Sequence, residues 1–280
     1  MRVTGRAELI VPTELVPVFV GVLTVLGLVL GSFANVPIAR WPDGGTVTVP
    51  ARSVCPSCQA PVRGRDNVPV VSWLVLRGRC RDCRAPISPR YLVVELAVGV
   101  LFGALAWVWG LDPLLPALLV LAWSLVVATA IDLEHRIIPD RLTLRLPVGL
   151  LVLVVAAAAF DGAWIDLRRA VIAGIAVPGV MLGLSELFRL VRGQSGIGMG
   201  DIKFAVSLGL VVGYLGAFAL VVFAYATVIS AVLIAVVLVV AGRARLASRI
   251  PFGPYLAIGA LVPMLSPTGS TDLARGLLGF

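Results

Sequence analysis

Between Phe204 and Gly242 run 39 residues without one Asp, Glu, Lys or Arg. A helix rises about 1.5 Å per residue, so this stretch is nearly twice the roughly 30 Å hydrocarbon core of a bilayer. It has to cross twice, and the segment from Gly213 to Gly216 marks the expected turn. Six further apolar runs read as single crossings: Leu15 to Val36, Tyr91 to Trp109, Leu114 to Ile131, Leu146 to Phe160, Ala170 to Leu190 and Ile250 to Ser266. Glu95 is the one charge in the second of these, Glu186 and Arg189 sit near the end of the fifth, and snorkelling of Arg145 lengthens the fourth. The expected fold is an all-α polytopic membrane protein of about eight transmembrane helices.

Composition agrees. Hydrophobic residues make up 59% of the 280 and there are 29 Gly besides, well above the apolar share of about 45–50% in soluble chains. A water-soluble globule is excluded, and so is disorder, which needs few apolar residues. Unbroken apolar runs, in place of strict alternation, argue against an outer-membrane barrel. The run within Met1 to Ala34 is longer than the core of a signal peptide and further spans follow, so it reads as an uncleaved first span. GxxxG spacings at Gly27/Gly31, Gly99/Gly103 and Gly179/Gly183 would let helices pack closely. No tandem repeat stands out.

Eighteen of the 23 basic residues fall in four alternate loops, 40–90, 132–145, 189–203 and 243–249. The other five are Arg2, Arg6, Arg168, Arg169 and Arg275. Loops rich in Lys and Arg stay in the cytoplasm, which puts the first set inside and both termini outside. Loop 40–90 alone carries nine basic residues against Asp43, Asp66 and Asp82, so it accounts for most of the net charge of +8. Attraction to anionic lipid explains that excess without a nucleic-acid partner.

All four cysteines lie in that loop, as Cys55-Pro-Ser-Cys58 and Cys80-Arg-Asp-Cys83. Two CxxC turns 21 residues apart offer four sulfurs to one tetrahedral ion, and zinc is the expected ligand. Disulfides fit poorly with a reducing compartment, and a thiol relay lacks a surrounding βαβ pattern. A loop too small and polar to build its own core would use the ion structurally.

Acids at membrane depth are costly and draw attention. Asp132 ends the third span, and Asp201 opens the sixth within Gly198-Met-Gly-Asp201-Ile-Lys203. One span arrives at the inner face where the other leaves it, so the two carboxylates can meet at one depth. Such a pair shares a proton, one member activating water while the other polarises a carbonyl. Gly198 and Gly200 would let a substrate backbone approach Asp201. Lys203, the one lysine in the chain, points to a different helical face from Asp201 and is expected to contact another segment or to snorkel. Glu95, Glu134, Asp140 and Glu186 are expected to pair with arginines or sit at headgroup level.

Together these strings resemble the type IV prepilin peptidase family. They begin with Gly31-Ser-Phe-Ala-Asn35-Val and Arg40-Trp-Pro and take in both CxxC pairs, with Asn67-Val-Pro and Ser72-Trp-Leu-Val-Leu-Arg-Gly78 between them. They continue through Ile87-Ser-Pro-Arg-Tyr-Leu-Val-Val-Glu95, Ile138-Pro-Asp140, the GxGD string and Pro251-Phe-Gly-Pro-Tyr. Leu92 stands where the family usually has proline.

The resemblance implies an inner-membrane enzyme that cuts the basic leader from prepilin or pseudopilin precursors at the cytoplasmic face. It implies Asp132 and Asp201 as the catalytic pair and S-adenosylmethionine as donor for methylating the new amino terminus. Asn35, Arg40, Gly78 and Glu95 become candidates for the methyl-transfer half. The implied division is 1–36 as N-terminal segment and first helix, 37–90 as the zinc-bearing loop and 91–280 as the peptidase. A transporter or assembly scaffold, with the aspartates as a proton relay, is the competing reading, followed by a membrane thiol oxidoreductase. Hydrolysis also needs water at the dyad, so a polar opening there is expected.

Overall fold

The computed structural model of the chain describes residues 12–49, 53–193, 196–242 and 251–266. Arg2, Arg6, Arg243, Arg245, Arg249, Ile250 and Arg275, all used above to count spans or orient loops, lie outside the described residues. The described part is helical, with no strand beyond two isolated bridges. Its α-helices are α1 (Val16–Arg40), α2 (Val71–Val75), α3 (Arg90–Trp109), α4 (Leu115–His135), α5 (Asp140–Asp161), α6 (Trp164–Arg192), α7 (Met199–Leu215), α8 (Ala217–Val240) and α9 (Gly253–Leu265).

Six of them, α1, α3, α4, α5, α6 and α8, are long and apolar enough to cross a membrane, and the chain is a multi-pass membrane protein. The expected break in the long uncharged run falls at Gly216, whose φ of +135° separates α7 from α8. Several helices outrun the apolar segments that announce them. Helix α1 continues past Val36 to Arg40, α5 begins at Asp140 and α6 begins at Trp164, bringing Arg168 and Arg169 inside the helix. Hydropathy reads the length of the crossing, whereas the helix extends into the headgroup layer, where charged side chains are tolerated.

Helices α7 and α9, with 17 and 13 residues, are short for a bilayer. Both are enclosed by longer neighbours: 12 of the 17 residues of α7 are buried, and it touches α4, α5, α6, α8 and α9. Their backbone ends are therefore sheltered by protein, not lipid.

Small residues set the closest approaches. An added methyl at Gly27 would lie 2.8 Å from the Val98 carbonyl, and one at Gly31 2.8 Å from Glu95 Cα, so α1 lies directly on α3. Gly99 and Gly103 complete that contact against Leu28 and Thr24. Gly179 and Gly183 do not act this way, because nothing stands within 4 Å of where their side chains would begin. The corresponding contact on α6 uses Gly174 facing Gly209 of α7, and Ala170 and Ala173 facing Gly213; a methyl at Gly209 would come within 2.3 Å of the Ala173 carbonyl. GxxxG spacing identifies helix faces that can pack, and which of them meets a partner depends on the bundle.

Candidate active site and metal centre

One end of the bundle brings together the chain after α1, the turn between α4 and α5 and the start of α7. Asp132 lies in the last turn of α4, which stops where Arg136 enters the left-handed region at φ +57°. The Gly253 N–H, at the start of α9, donates to Asp132 Oδ2 at 2.8 Å. A methyl on residue 253 would sit 2.9 Å from that oxygen and 3.2 Å from Asp132 Cβ, so the approach requires glycine. The string Pro251-Phe-Gly-Pro-Tyr does not by itself assign Gly253 this role. A glycine between two prolines at a helix start was the available signal.

Asp201 is the third residue of α7, after the N-cap Gly198. Its carboxylate faces the Gly198 backbone N–H, the reciprocal bond of a capping box. The two aspartates are close enough for the charge of Asp132 to act on Asp201, and α4 packs against α7. They are 5% and 9% exposed, so each keeps only a narrow opening to its surroundings. Asp201 Oδ1 makes no hydrogen bond among the described residues, which leaves one carboxylate oxygen free at the junction.

The glycines flanking Asp201 differ in surroundings. Space beside Gly198 is bounded by Asp201 Oδ2 at 2.8 Å, whereas Gly200 lies against Ile138, 3.2 Å from where its methyl would be. Gly200 thus seats the Ile138-Pro139-Asp140 turn on α7. Lys203 Nζ closes the same contact by donating to Asp140 Oδ1 at 2.7 Å, the inter-segment partner expected of it. Glu134 pairs with Arg90, and Glu186 with Arg189. Among the described residues Glu95 pairs with no arginine: 7% exposed, it accepts the Val70 N–H at 2.7 Å, anchoring the loop to α3. Val70 sits at φ +62°, an unfavourable conformation for a β-branched residue, held by that bond and by its place ahead of α2.

The four cysteines converge, with their sulfurs all within 4.8 Å of one another. Cys55 Sγ and Cys83 Sγ stand 3.8 Å apart. Four sulfurs about 2.3 Å from a tetrahedral ion are separated by about 3.8 Å, the spacing of the Cys55–Cys83 pair, and the whole quartet is close enough to hold one metal ion. All four are free thiols, without a disulfide. Backbone N–H groups of Cys58 and Ser57 pull the Cys55 thiol down to about 6. At Cys58 the Ala60 N–H pulls the same way, but the Cys83 thiol, burial and the remaining sulfurs prevail and push it up to about 12. Crowded thiols that resist joint ionisation are what a divalent cation relieves.

The two knuckles are built alike, a repetition the sequence reading missed. Cys55-Pro-Ser-Cys-Gln-Ala-Pro61 and Cys80-Arg-Asp-Cys-Arg-Ala-Pro86 share Cys-x-x-Cys-x-Ala-Pro. The Cys55 N–H donates to the Ala60 carbonyl and the Cys80 N–H to the Ala85 carbonyl, each at 2.9 Å. Gln59 and Arg84 turn the chain at φ +59° and +62°. Gly78, at φ +64°, underlies the Trp73 ring, 2.8 Å from where a methyl would project. Arg40 donates to the Thr46 and Val47 carbonyls at 3.2 Å, folding back the chain after α1. Asn35, 4% exposed, joins α1 to α3 by donating to the Tyr91 carbonyl at 3.4 Å. Arg81 holds the Asp66 carboxyl below the usual carboxylate range and ties the second knuckle to the segment before α2.

Comparison with known proteins accords with this arrangement. Residues 25–109 match the Bacterial Peptidase A24 N-terminal domain, and residues 119–241 match the Type IV leader peptidase family. A prepilin leader peptidase/N-methyltransferase of Stutzerimonas stutzeri is 37% identical over 272 residues, covering 88% of this chain and 90% of that protein. Proteins of the same name from Aeromonas hydrophila and Neisseria gonorrhoeae are 36% and 34% identical; they cover 85% and 88% of this chain, and 87% and 90% of their own lengths. No solved structure matches. With both halves matched in order and relatives aligned along nearly their whole length, the chain belongs to the type IV leader peptidase family.

Proposed function

We propose that this chain removes the leader from type IV prepilin-like precursors and then N-methylates the residue so exposed. The observation that carries the peptidase half is that Asp132, at the end of α4, lies close enough to Asp201, at the start of α7, for one carboxylate to act electrostatically on the other. The chemistry follows from two carboxylates sharing one proton. The ionised member takes a proton from water as its oxygen attacks the scissile carbonyl, and the protonated member hydrogen-bonds that carbonyl. Collapse breaks the C–N bond, and a proton passes to the leaving amine. Gly253 and Gly198 hold the two side chains through backbone N–H groups. Of the glycines flanking Asp201, Gly198 borders the carboxylate and leaves room there for an extended substrate backbone, whereas Gly200 is occupied by its contact with Ile138.

The four cysteines hold zinc, which fastens the two knuckles together and supplies no reaction step. S-adenosylmethionine supplies the methyl group. Asn35, Arg40, Gly78 and Glu95 shape the region between residues 37–90 and helices α1 and α3 that serves this half, leaving 91–280 to the peptidase. The dyad and the knuckles face the cytoplasmic side of a bacterial plasma membrane, a reading that the arginine-rich alternate loops support. There the basic leader lies at the lipid surface and the apolar helix after it enters the bilayer. No nucleic acid is involved. The test is co-expression with a prepilin-like precursor. Asp132→Asn and Asp201→Asn each abolish cleavage, and retained cleavage in both variants would overturn the peptidase reading.

A further inference from the structure

A cavity of about 600 Å³ lies between the knuckle loop and helices α1 and α3, a size suited to a small organic ligand. Neither aspartate of the dyad lines it. Asn35 and Glu95 reach it from the helices and Trp73 from the loop. Asn35 is 4% exposed, and its Nδ2 is used on the Gly31 and Tyr91 carbonyls. Its Oδ1 has no partner among the described residues, and the buried Trp73 Nε1 has none either. Two orphaned polar atoms in one cavity call for a polar occupant.

The remaining lining narrows the chemistry. Glu95 brings a carboxylate to the membrane end, suited to a cation. Arg63 and Arg90, which pair with Asp82 and Glu134, bring guanidinium groups whose remaining N–H donors suit a ligand carboxylate. The Trp73 indole, seated on Gly78, offers an aromatic surface suited to a heterocycle. A ligand with a cationic centre, a carboxylate and a purine meets all three. Arg90, which lines the cavity, also pairs with Glu134, two residues beyond Asp132.

We propose that this cavity is the binding site for S-adenosylmethionine, with Glu95 facing the sulfonium and Trp73 the adenine. The assignment rests on the N-methyltransferase reading given above.

The test is equilibrium binding of S-adenosylmethionine and of S-adenosylhomocysteine, its neutral thioether product, to the detergent-solubilised full chain. Glu95→Gln keeps an oxygen for the Val70 N–H but removes the charge. It should weaken S-adenosylmethionine about tenfold or more while leaving S-adenosylhomocysteine almost unchanged. Trp73→Ala should weaken both, and Trp73→Phe should weaken both less. Bound zinc, measured on every variant, reports whether the loop remains folded. If the wild-type chain binds both compounds and neither Glu95→Gln nor Trp73→Ala alters either affinity, the cavity assignment fails alone. Equal loss of both ligands in Glu95→Gln, with zinc retained, would overturn the role given to Glu95. A wild-type chain that binds neither compound would remove the methyltransferase reading itself.

Discussion

The backbone N–H of Gly253 and the carboxylate of Asp132 stand 2.8 Å apart, and the same glycine leaves no room for a methyl group beside that carboxylate. An acid at the end of α4 is thus held by the first residue of α9, 121 positions away. Gly253→Ala should push the helix start and the acid apart. Misplacement of a reacting group by an ångström costs on the order of 10²-fold in rate. Leader cleavage by the purified variant, assayed against a prepilin-like precursor, should fall by about that factor while the helical circular dichroism remains.

Lys203 and Asp140 pin α7 to the start of α5 through an exposed ion pair. Exposed pairs contribute about 0–1 kcal/mol, so Lys203→Met should slow cleavage only severalfold. The exchange Lys203→Asp with Asp140→Lys should recover most of the loss. A double-mutant cycle on cleavage rate checks this, and independent effects would show that the pair does not position Asp201.

Removing one sulfur should release the ion. Cys58→Ser, or treatment with a strong chelator, is expected to lower bound zinc from one per chain toward zero and to reduce methylation more than cleavage. Metal content and the mass of the processed N-terminal peptide give the two readouts. Equal loss of both activities would mean that the loop supports the entire fold.

Glycines with the same spacing should respond in opposite ways. Gly209→Ala forces a methyl against the Ala173 carbonyl. Overpacking of this kind costs about 1–3 kcal/mol. Gly179→Ala meets open space and should be neutral or slightly stabilising. Thermal unfolding in detergent distinguishes the two.

Crossings and the cysteine quartet were legible because each leaves a local mark: uninterrupted apolar runs and paired CxxC turns. Asp132 and Asp201 stood out as acids where acids are expensive. The partners of those acids were harder to read. Gly253 meets Asp132, Gly200 meets Ile138 and Glu95 meets Val70 only once the bundle has closed, and no short-range pattern announces such contacts. The Gly179/Gly183 expectation failed for a related reason. Spacing describes one helix, whereas packing belongs to two. The Ala-Pro that completes each knuckle was visible as a repeated string, and attention to the cysteines alone passed over it.

The bridge from Arg90 to Glu134 has a practical consequence for anyone dissecting the protein. It joins the threshold of α3 to the turn that carries Asp132, while Arg141 donates to the Gly44 carbonyl at 2.8 Å from the far side. Separately expressed halves, severed between α3 and α4, would each forfeit one jaw of these clasps. Genetic splitting is therefore a poor route to isolating either chemistry, and single side-chain exchanges within the intact polypeptide are the better scalpel.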